Sequence, residues 1–203
     1  MSLGTRPPVG EQASSPEAAG RIPGEAGVWF LIFGDLVVFS VIFVVFIHAR
    51  GADTSLFNAS QATLHRTFGG LNTLILLTSS LLVALAINVF RLGRRRRAAQ
   101  NLLCGAVLCA GAFLVNKGIE WTMLLMAGHG PSTNSYYMHF FVLTGLHAAH
   151  VVLGIVLLAV MIAFTRKDAP SENQYSFVES GACFWHLVDM LWLIIFPLLY
   201  LMH

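Results

Sequence analysis

Long apolar runs separated by short polar stretches limit what this chain can fold into. Five such runs cover about residues 26–47, 68–90, 101–126, 137–164 and 179–202. A helix of about 20 residues crosses the hydrocarbon core of a bilayer. Lipid offers the backbone no hydrogen bonds, and the alternating pattern of a β-barrel is missing, so each run predicts a helix. The sequence therefore predicts an all-α polytopic membrane protein, a bundle of five transmembrane helices.

The remaining composition excludes several classes of protein. Hydrophobic residues make up 56% of the chain and charged residues 11%, against about 25% charged residues in soluble domains. No basic face interleaved with aromatic residues indicates nucleic-acid binding. The three cysteines lie inside apolar runs without the paired spacing of a metal site, which predicts buried thiols. Residues 1–24, rich in Pro, Gly, Ser and Glu, predict a disordered tail before a single membrane domain at 25–203.

The distribution of Lys and Arg predicts an orientation in the membrane. If the N-terminus is cytoplasmic, the inner segments hold the stretch RLGRRRR at 91–97 together with Arg166 and Lys167. The outer loops then hold only Arg50 and Arg66. Positively charged loops stay on the cytoplasmic side, so we expect the N-terminus inside and the C-terminus outside.

Several ionisable residues fall within the predicted membrane helices. Such groups cost a few kcal/mol in hydrocarbon, which makes them the first candidates for function. They are Asp35, Glu120, His147, His150, Glu179, His186 and Asp189. Lys117 lies three residues before Glu120 on one helix, so the two side chains share a face and are expected to pair.

Three interpretations of these residues remain open from the residues themselves. Histidines could ligate haem or copper, but His150 and His186 are expected to differ in depth by roughly 10 Å. A proton or solute pathway through Asp35 would suit an autonomous transporter, which usually shows broken helices and internal repeats. The third interpretation is structural: the polar groups satisfy one another, hold lipid head groups or meet a partner. Small residues predicted at helix contacts, Gly105, Gly111, Gly145 and Gly154, favour a tightly packed bundle.

Five stretches, taken in order, resemble one family over nearly the whole chain from about Gly24. The first is GVWFLIFGD with Asp35, and the second is LNTLILLTSS with Asn72. The third is NKGIEW with Glu120, and the fourth is LTGLHAAHVVLG with His147 and His150. The last is ESGACFWHLVDMLW, which contains Glu179, His186 and Asp189. This series resembles subunit III of the haem-copper respiratory oxidases.

The resemblance implies a non-catalytic accessory subunit with no cofactor of its own. Haem and copper, or non-haem iron, would belong to the partner, the catalytic subunit I. The subunit would support assembly, phospholipid binding and proton uptake in aerobic or denitrifying electron transport. Asp35 would be the counterpart of a buried carboxylate near the catalytic partner. The other polar positions, Asn72 among them, would form the polar interior and the lipid or subunit contacts.

Two departures from the family pattern refine this expectation. The mitochondrial type has seven helices, and this chain shows no counterpart of the first two, so another chain would have to supply them. The five-helix form implies a bacterial inner-membrane protein. The opening PGEAGVWFLIFGD is similar to the branch that accompanies nitric oxide reductases, so the substrate of the complex, oxygen or nitric oxide, stays open.

Overall fold

The computed structural model describes residues 26–91, 96–166 and 172–202. All regular secondary structure within these ranges is helical. The helices are α1 (Ala26–Ala52), α2 (Thr54–Gln61), α3 (Arg66–Arg91), α4 (Arg96–Met126), α5 (Ser135–Thr165) and α6 (Glu172–Phe196). A π-helical turn, Pro197–Leu201, follows α6 directly. The predicted disordered tail at 1–24 lies outside the described residues.

Five of these helices are long and apolar enough to cross a membrane, as predicted. They are α1, α3, α4, α5, and α6 together with its π-helical turn. Each exceeds the roughly 20 residues that a bilayer crossing requires. The all-α, five-span fold expected from the apolar runs is therefore confirmed.

The helices extend beyond the apolar runs that predicted them. The fourth helix of the fold begins at Arg96 rather than near 101, and α6 begins at Glu172 rather than near 179. Arg, Gln and Glu are good helix formers, so polar sequence at the edge of a membrane span continues the helix. The α6 helix ends at Phe196 because Pro197 has no backbone N–H to donate, and the chain widens into the π-helical turn.

The segment between the first two spans was predicted as a polar loop and contains a short helix. The first span continues to Ala52, and α2 follows after Asp53. Asp53 is the N-cap of α2, since its carboxylate accepts a hydrogen bond from the Leu56 N–H at 3.1 Å. That hydrogen bond, followed by one from the Ser55 hydroxyl, lowers the pKa of the Asp53 carboxyl below its ordinary value of 3.8.

The core of the bundle lies around α6, which packs against α3 and α5. Trp185 and Trp192 on α6 are fully buried. The α1 helix lies at the periphery and leaves most of its apolar side chains exposed, Phe30 by 80% and Phe33 by 68%. Helix α1 is therefore the part of the bundle most open to lipid or to a partner.

The glycines that allow close helix contact are only partly those predicted. A Cβ on Gly154 would lie 2.5 Å from Trp185, and one on Gly105 would lie 3.1 Å from Leu82. The predictions for Gly111 and Gly145 are wrong, because a Cβ on either would meet no atom within 4 Å. Sequence shows that a residue is small but not which face of its helix meets a neighbour.

Candidate functional site

The most buried polar group of the bundle is a cluster of Lys117, Glu120 and Tyr200, which we call the lysine cluster. The Lys117 ammonium donates to Glu120 Oε2 at 2.7 Å and to the Tyr200 hydroxyl at 2.8 Å. The Tyr200 hydroxyl in turn donates to Glu120 Oε1 at 2.7 Å. All three side chains are at least nine-tenths buried. The predicted pairing of Lys117 with Glu120 is confirmed, and it closes into a ring through the last turn of the chain.

Three aromatic rings lie close to the Lys117 ammonium. The Lys117 Nζ lies 4.6 Å from the centroid of Phe140, 5.1 Å from Trp192 and 5.4 Å from Tyr200. The negative faces of such rings attract a cation, and the effect is larger where water is excluded. The rings therefore stabilise a positive charge at Lys117 inside the bundle.

A cavity of about 210 Å³ reaches the lysine cluster from one end of the bundle. Glu120 lines it together with residues from the α2–α3 connection, from the first turn of α3, and from the end of α4 with the loop that follows: Thr63, Leu64, His65, Phe68, Met123, Leu124, Ala127 and His129. His129 stacks on Tyr137, whose hydroxyl lies 2.8 Å from that of Thr63. We call this end of the molecule the α4–α5 end.

Asp35 and His150 form a second polar pair. His150 Nε2 lies 3.2 Å from Asp35 Oδ1, and His150 Nδ1 lies 2.8 Å from the Leu146 carbonyl oxygen. Both ring nitrogens thus lie near an oxygen atom. The Asp35 and His150 side chains are 22% and 16% exposed. The pair joins α1 to α5 and reaches the periphery of the bundle.

His147 lies deep in the bundle without a hydrogen-bond partner. Its ring is 5.5 Å from Phe113 and 5.2 Å from Trp192, centroid to centroid, and is fully buried. Neither ring nitrogen has a hydrogen-bond partner among the described residues. A neutral imidazole always carries one N–H, so this site holds an unsatisfied donor in an aromatic environment.

His186 and Asp189 lie on α6, where Ser80 of α3 approaches them. The Ser80 hydroxyl is 2.7 Å from His186 Nδ1. It also lies near Asp189, but neither carboxylate oxygen of Asp189 has a partner at hydrogen-bonding geometry in the described chain. His186 and Asp189, three residues apart on α6, are therefore both approached by a serine of another helix.

Asn72 and Glu179 have different surroundings. Asn72 is fully buried and accepts a hydrogen bond from Asn116 Nδ2 at 2.6 Å, which links α3 to α4. Glu179 pairs with Arg91 at 2.7 Å, and the two side chains are 27% and 58% exposed. This carboxylate lies near the end of α3 in a partly exposed pair, and its assignment to the lipid or subunit contacts stays a prediction.

The structure does not bring the predicted histidines together as a ligand set. His150 is engaged by Asp35, His186 by Ser80, and His147 is enclosed by aromatic rings. Among the described residues no group of three or more His, Cys, Asp or Glu side chains is placed to hold a metal ion. The polar residues form separate clusters, each joining two or more helices.

Sequence reasoning missed the partners that other helices supply. Tyr200, Ser80 and Asn116 each supply a hydrogen bond to a predicted residue. None carries a signal of its own, because Tyr, Ser and Asn are common in membrane helices when they face a neighbouring helix. Their partners follow only from the packing of the bundle.

Comparison with known proteins places this arrangement in a family. The pattern of the family described as cytochrome c oxidase subunit III matches residues 21–203. Cytochrome c oxidase subunit 3 of Alkalihalophilus pseudofirmus is 32% identical over 181 residues, which cover 87% of this chain and 85% of that protein. Quinol oxidase subunit 3 of Bacillus subtilis is 25% identical over 189 residues, covering 87% and 85%. Heme-copper oxidase subunit I+III of Aeropyrum pernix is 29% identical over 182 residues, covering 87% of this chain but 22% of that longer protein.

Proposed function

Because the chain belongs to the cytochrome c oxidase subunit III family, we propose that it is the non-catalytic accessory subunit of a haem-copper respiratory complex. The observation that carries the proposal is the family match across residues 21–203, which includes every membrane span. A relative whose name joins subunits I and III in one protein supports a catalytic subunit I as the partner. The haem and metal of the complex would reside in that partner.

The periphery of the bundle supports α1 and α5 as the surface that meets the partner. Asp35 and His150 form a partly exposed polar pair within two of the spans. A charged pair facing hydrocarbon is costly, so a polar or protein environment at this point is favoured. Exposed apolar side chains on the same helix α1, Phe30 and Phe33 among them, would form the apolar part of the contact with the partner.

A role in proton uptake follows from the same pair. His150 lies between Asp35 Oδ1 and the Leu146 carbonyl oxygen, so the pair offers polar atoms at the surface proposed to meet the catalytic subunit. We propose that Asp35 tunes proton access there, while the other intramembrane polar residues support assembly and phospholipid binding. The chain would lie in a bacterial inner membrane with its N-terminus cytoplasmic, as the arginine distribution favours.

Replacing Asp35 by Ala in the intact complex tests this role. We expect normal assembly, slower proton uptake and a severalfold shorter lifetime during turnover, because His150 loses its acceptor. Asp53→Asn is the matched control, since it removes a carboxylate outside the spans and keeps a capping oxygen for α2. If Asp35→Ala leaves assembly, proton pumping and turnover lifetime unchanged, the proposed role of Asp35 is wrong.

Two substrates are compatible with the proposed complex, nitric oxide and oxygen. The opening PGEAGVWFLIFGD favours a partner that reduces nitric oxide in denitrification. The relatives described above are named as subunits of cytochrome c, quinol and heme-copper oxidases, which favours oxygen. Nitric oxide and oxygen consumption by the purified complex, measured with the same electron donor, separates the two.

The alternative function is autonomous transport of protons or a solute. It draws on the buried polar residues of α4 and α6, Lys117, Glu120 and Asp189. Vesicles containing only this chain test it. Proton or solute flux above that of empty vesicles would favour a transporter, and no flux would leave the accessory role.

A further inference from the structure

His186 is a polar residue at the surface of the bundle, in the central part of a span. At about 1.5 Å per residue, it lies about 18 Å from the first residue and about 22 Å from the last residue of the span Gln174–Leu201. Its ring is half-buried and lies against Ser80 of α3. His186 is therefore well inside the span rather than at one of its polar borders.

The described chain satisfies one of the two ring nitrogens of His186. Nδ1 lies 2.7 Å from the Ser80 hydroxyl. Nε2 has no hydrogen-bond partner among residues 26–91, 96–166 and 172–202. It is also not one of the enclosed polar atoms of the bundle, which include both ring nitrogens of His147. Nε2 of His186 is thus accessible from outside the bundle and open to a further partner.

Lipid does not satisfy a ring nitrogen in this position. A polar group that is removed from water without a hydrogen bond costs free energy, and ionisable residues within spans normally face protein or water. The polar groups of a phospholipid lie about 15 Å from the centre of a hydrocarbon core that is about 30 Å thick. The missing partner of Nε2 is therefore a molecule that carries a polar group into the central part of the membrane.

The surface of α6 around His186 is apolar and continuous. Cys183 lies one turn before His186 and is half-buried, and Met190 lies one turn after it and is 62% exposed. Leu193 and Ile194 follow on the same side, 42% and 47% exposed. From Cys183 to Ile194 this surface extends about 16 Å along the helix axis. A polar centre between apolar turns suits the side of another helix.

On α3, the residues beside Ser80 continue this surface. Leu77 and Ala84, one turn before and one turn after Ser80, are both exposed. Small residues such as Ser and Ala let membrane helices approach closely, and polar side chains form hydrogen bonds across such contacts. We call the combined surface the α3–α6 face; its members are Leu77, Ser80, Ala84, Cys183, His186 and Met190.

We propose that the α3–α6 face binds a transmembrane helix of a different polypeptide, whose hydroxyl or amide side chain forms a hydrogen bond with His186 Nε2. Hydroxyl and amide groups both donate and accept, so they suit either neutral tautomer of the ring. Apolar side chains of that helix cover Met190 and the turns beyond it. The α3–α6 face shares no residue with the Asp35–His150 pair, and the proposal does not depend on the partner being a haem-copper enzyme.

Photo-cross-linking of the full chain in its native membrane tests the face. The photoreactive residue benzoylphenylalanine replaces Met190 or, as the matched control, Leu108, which is 74% exposed on α4. We expect position 190 to cross-link to a transmembrane segment with Ser, Thr, Asn or Gln at the attached turn, identified by mass spectrometry of the joined peptides. Attachment only to lipid, to a quinol or to a second copy of this chain would overturn the proposal. Equal yields of the same joined peptide from positions 190 and 108 would do so as well.

Variants of His186 test the hydrogen bond itself. His186→Leu removes both ring nitrogens and should lower the cross-link yield from position 190 by about fivefold, the factor expected for one hydrogen bond. His186→Gln keeps a group that donates and accepts and should recover most of the yield. A yield in His186→Leu equal to that with His186 present would show that Nε2 does not hold the partner. The comparison of positions 190 and 108 retains His186, so it decides the proposal even if His186→Leu fails to fold.

Discussion

Lys117 is a buried cation whose charge is neutralised by one carboxylate. Its ammonium is 1% exposed and is neutralised by Glu120 at 2.7 Å. Desolvating two charges offsets much of their attraction, so such a pair adds little to stability in itself. Removing one member is different, because it leaves an uncompensated charge in the low-dielectric interior.

Lys117→Met is therefore expected to destabilise the bundle by about 3–5 kcal/mol. Arg91→Met is the matched control, since Arg91 pairs with Glu179 at the same distance but is 58% exposed. Its loss should cost about 1 kcal/mol or less. Reversible unfolding in mixed micelles measures both variants. Equal costs would mean that the lysine cluster is hydrated and that its charges are not buried as described.

At this scale the sequence predicted pairs within one helix but not pairs between helices. The spacing of Lys117 and Glu120 fixes their shared face, and the structure joins them. Tyr200 lies 83 positions after Lys117. Whether the two side chains meet depends on the displacement of α6, and of the π-helical turn that follows it, along α4. Spacing along the chain carries no information on that displacement. For the same reason, the sequence does not predict the pairing of Asp35 with His150.

Among the elements, the short helix α2 depends on its N-cap. Asp53 accepts hydrogen bonds from the Leu56 N–H and the Ser55 hydroxyl, which together lower its pKa below 3.8. A carboxyl whose pKa is lowered on folding contributes stability above its unfolded pKa, and the contribution is lost as pH falls through the folded pKa. We expect α2 to loosen below about pH 3.8.

Amide hydrogen exchange across Thr54–Gln61 measures this loosening. Asp53→Asn keeps a capping oxygen without a titrating group, so its α2 exchange should lose the acid-dependent step. Asp53→Ala should exchange faster than the wild type at neutral pH. An Asp53→Asn protein with the same acid-dependent step would show that another group causes it.

The contact of α5 with α6 rests on Gly154. A Cβ at this position would lie 2.5 Å from Trp185, a fully buried ring that cannot move freely. Gly154→Ala should therefore cost about 1–3 kcal/mol through overpacking. Gly145→Ala on the same helix is the control, because its Cβ would meet no atom within 4 Å. Thermal unfolding of the two variants should differ, and equal midpoints would contradict this packing.

The number and type of the spans were predictable because bilayer thickness and backbone hydrogen bonding leave one solution. The positions of the helix ends were less predictable. Helix α4 begins at Arg96 and α6 begins at Glu172, both in polar sequence. Hydropathy does not detect a helix in such sequence, although the residues there still favour helix formation. The helix α2 was missed because its eight residues are too short for a periodic pattern to be decisive.

For the whole molecule, the least covered part is α1. Its exposed apolar side chains and the partly exposed Asp35–His150 pair lie on the same peripheral helix and its neighbour. The internal polar clusters, by contrast, join helices of this chain to one another. A bundle built in this way is stabilised from within and presents α1 outward, as the accessory role requires.

The measurement that tests this account most directly is purification of the tagged chain from its native membrane in a mild detergent, with a reduced-minus-oxidised spectrum of the eluate. We predict that haem absorbance and a large membrane subunit co-purify with the chain, and that the identity of that subunit separates oxidase from nitric oxide reductase. A chain that elutes alone, without haem and without a partner, would contradict the accessory role.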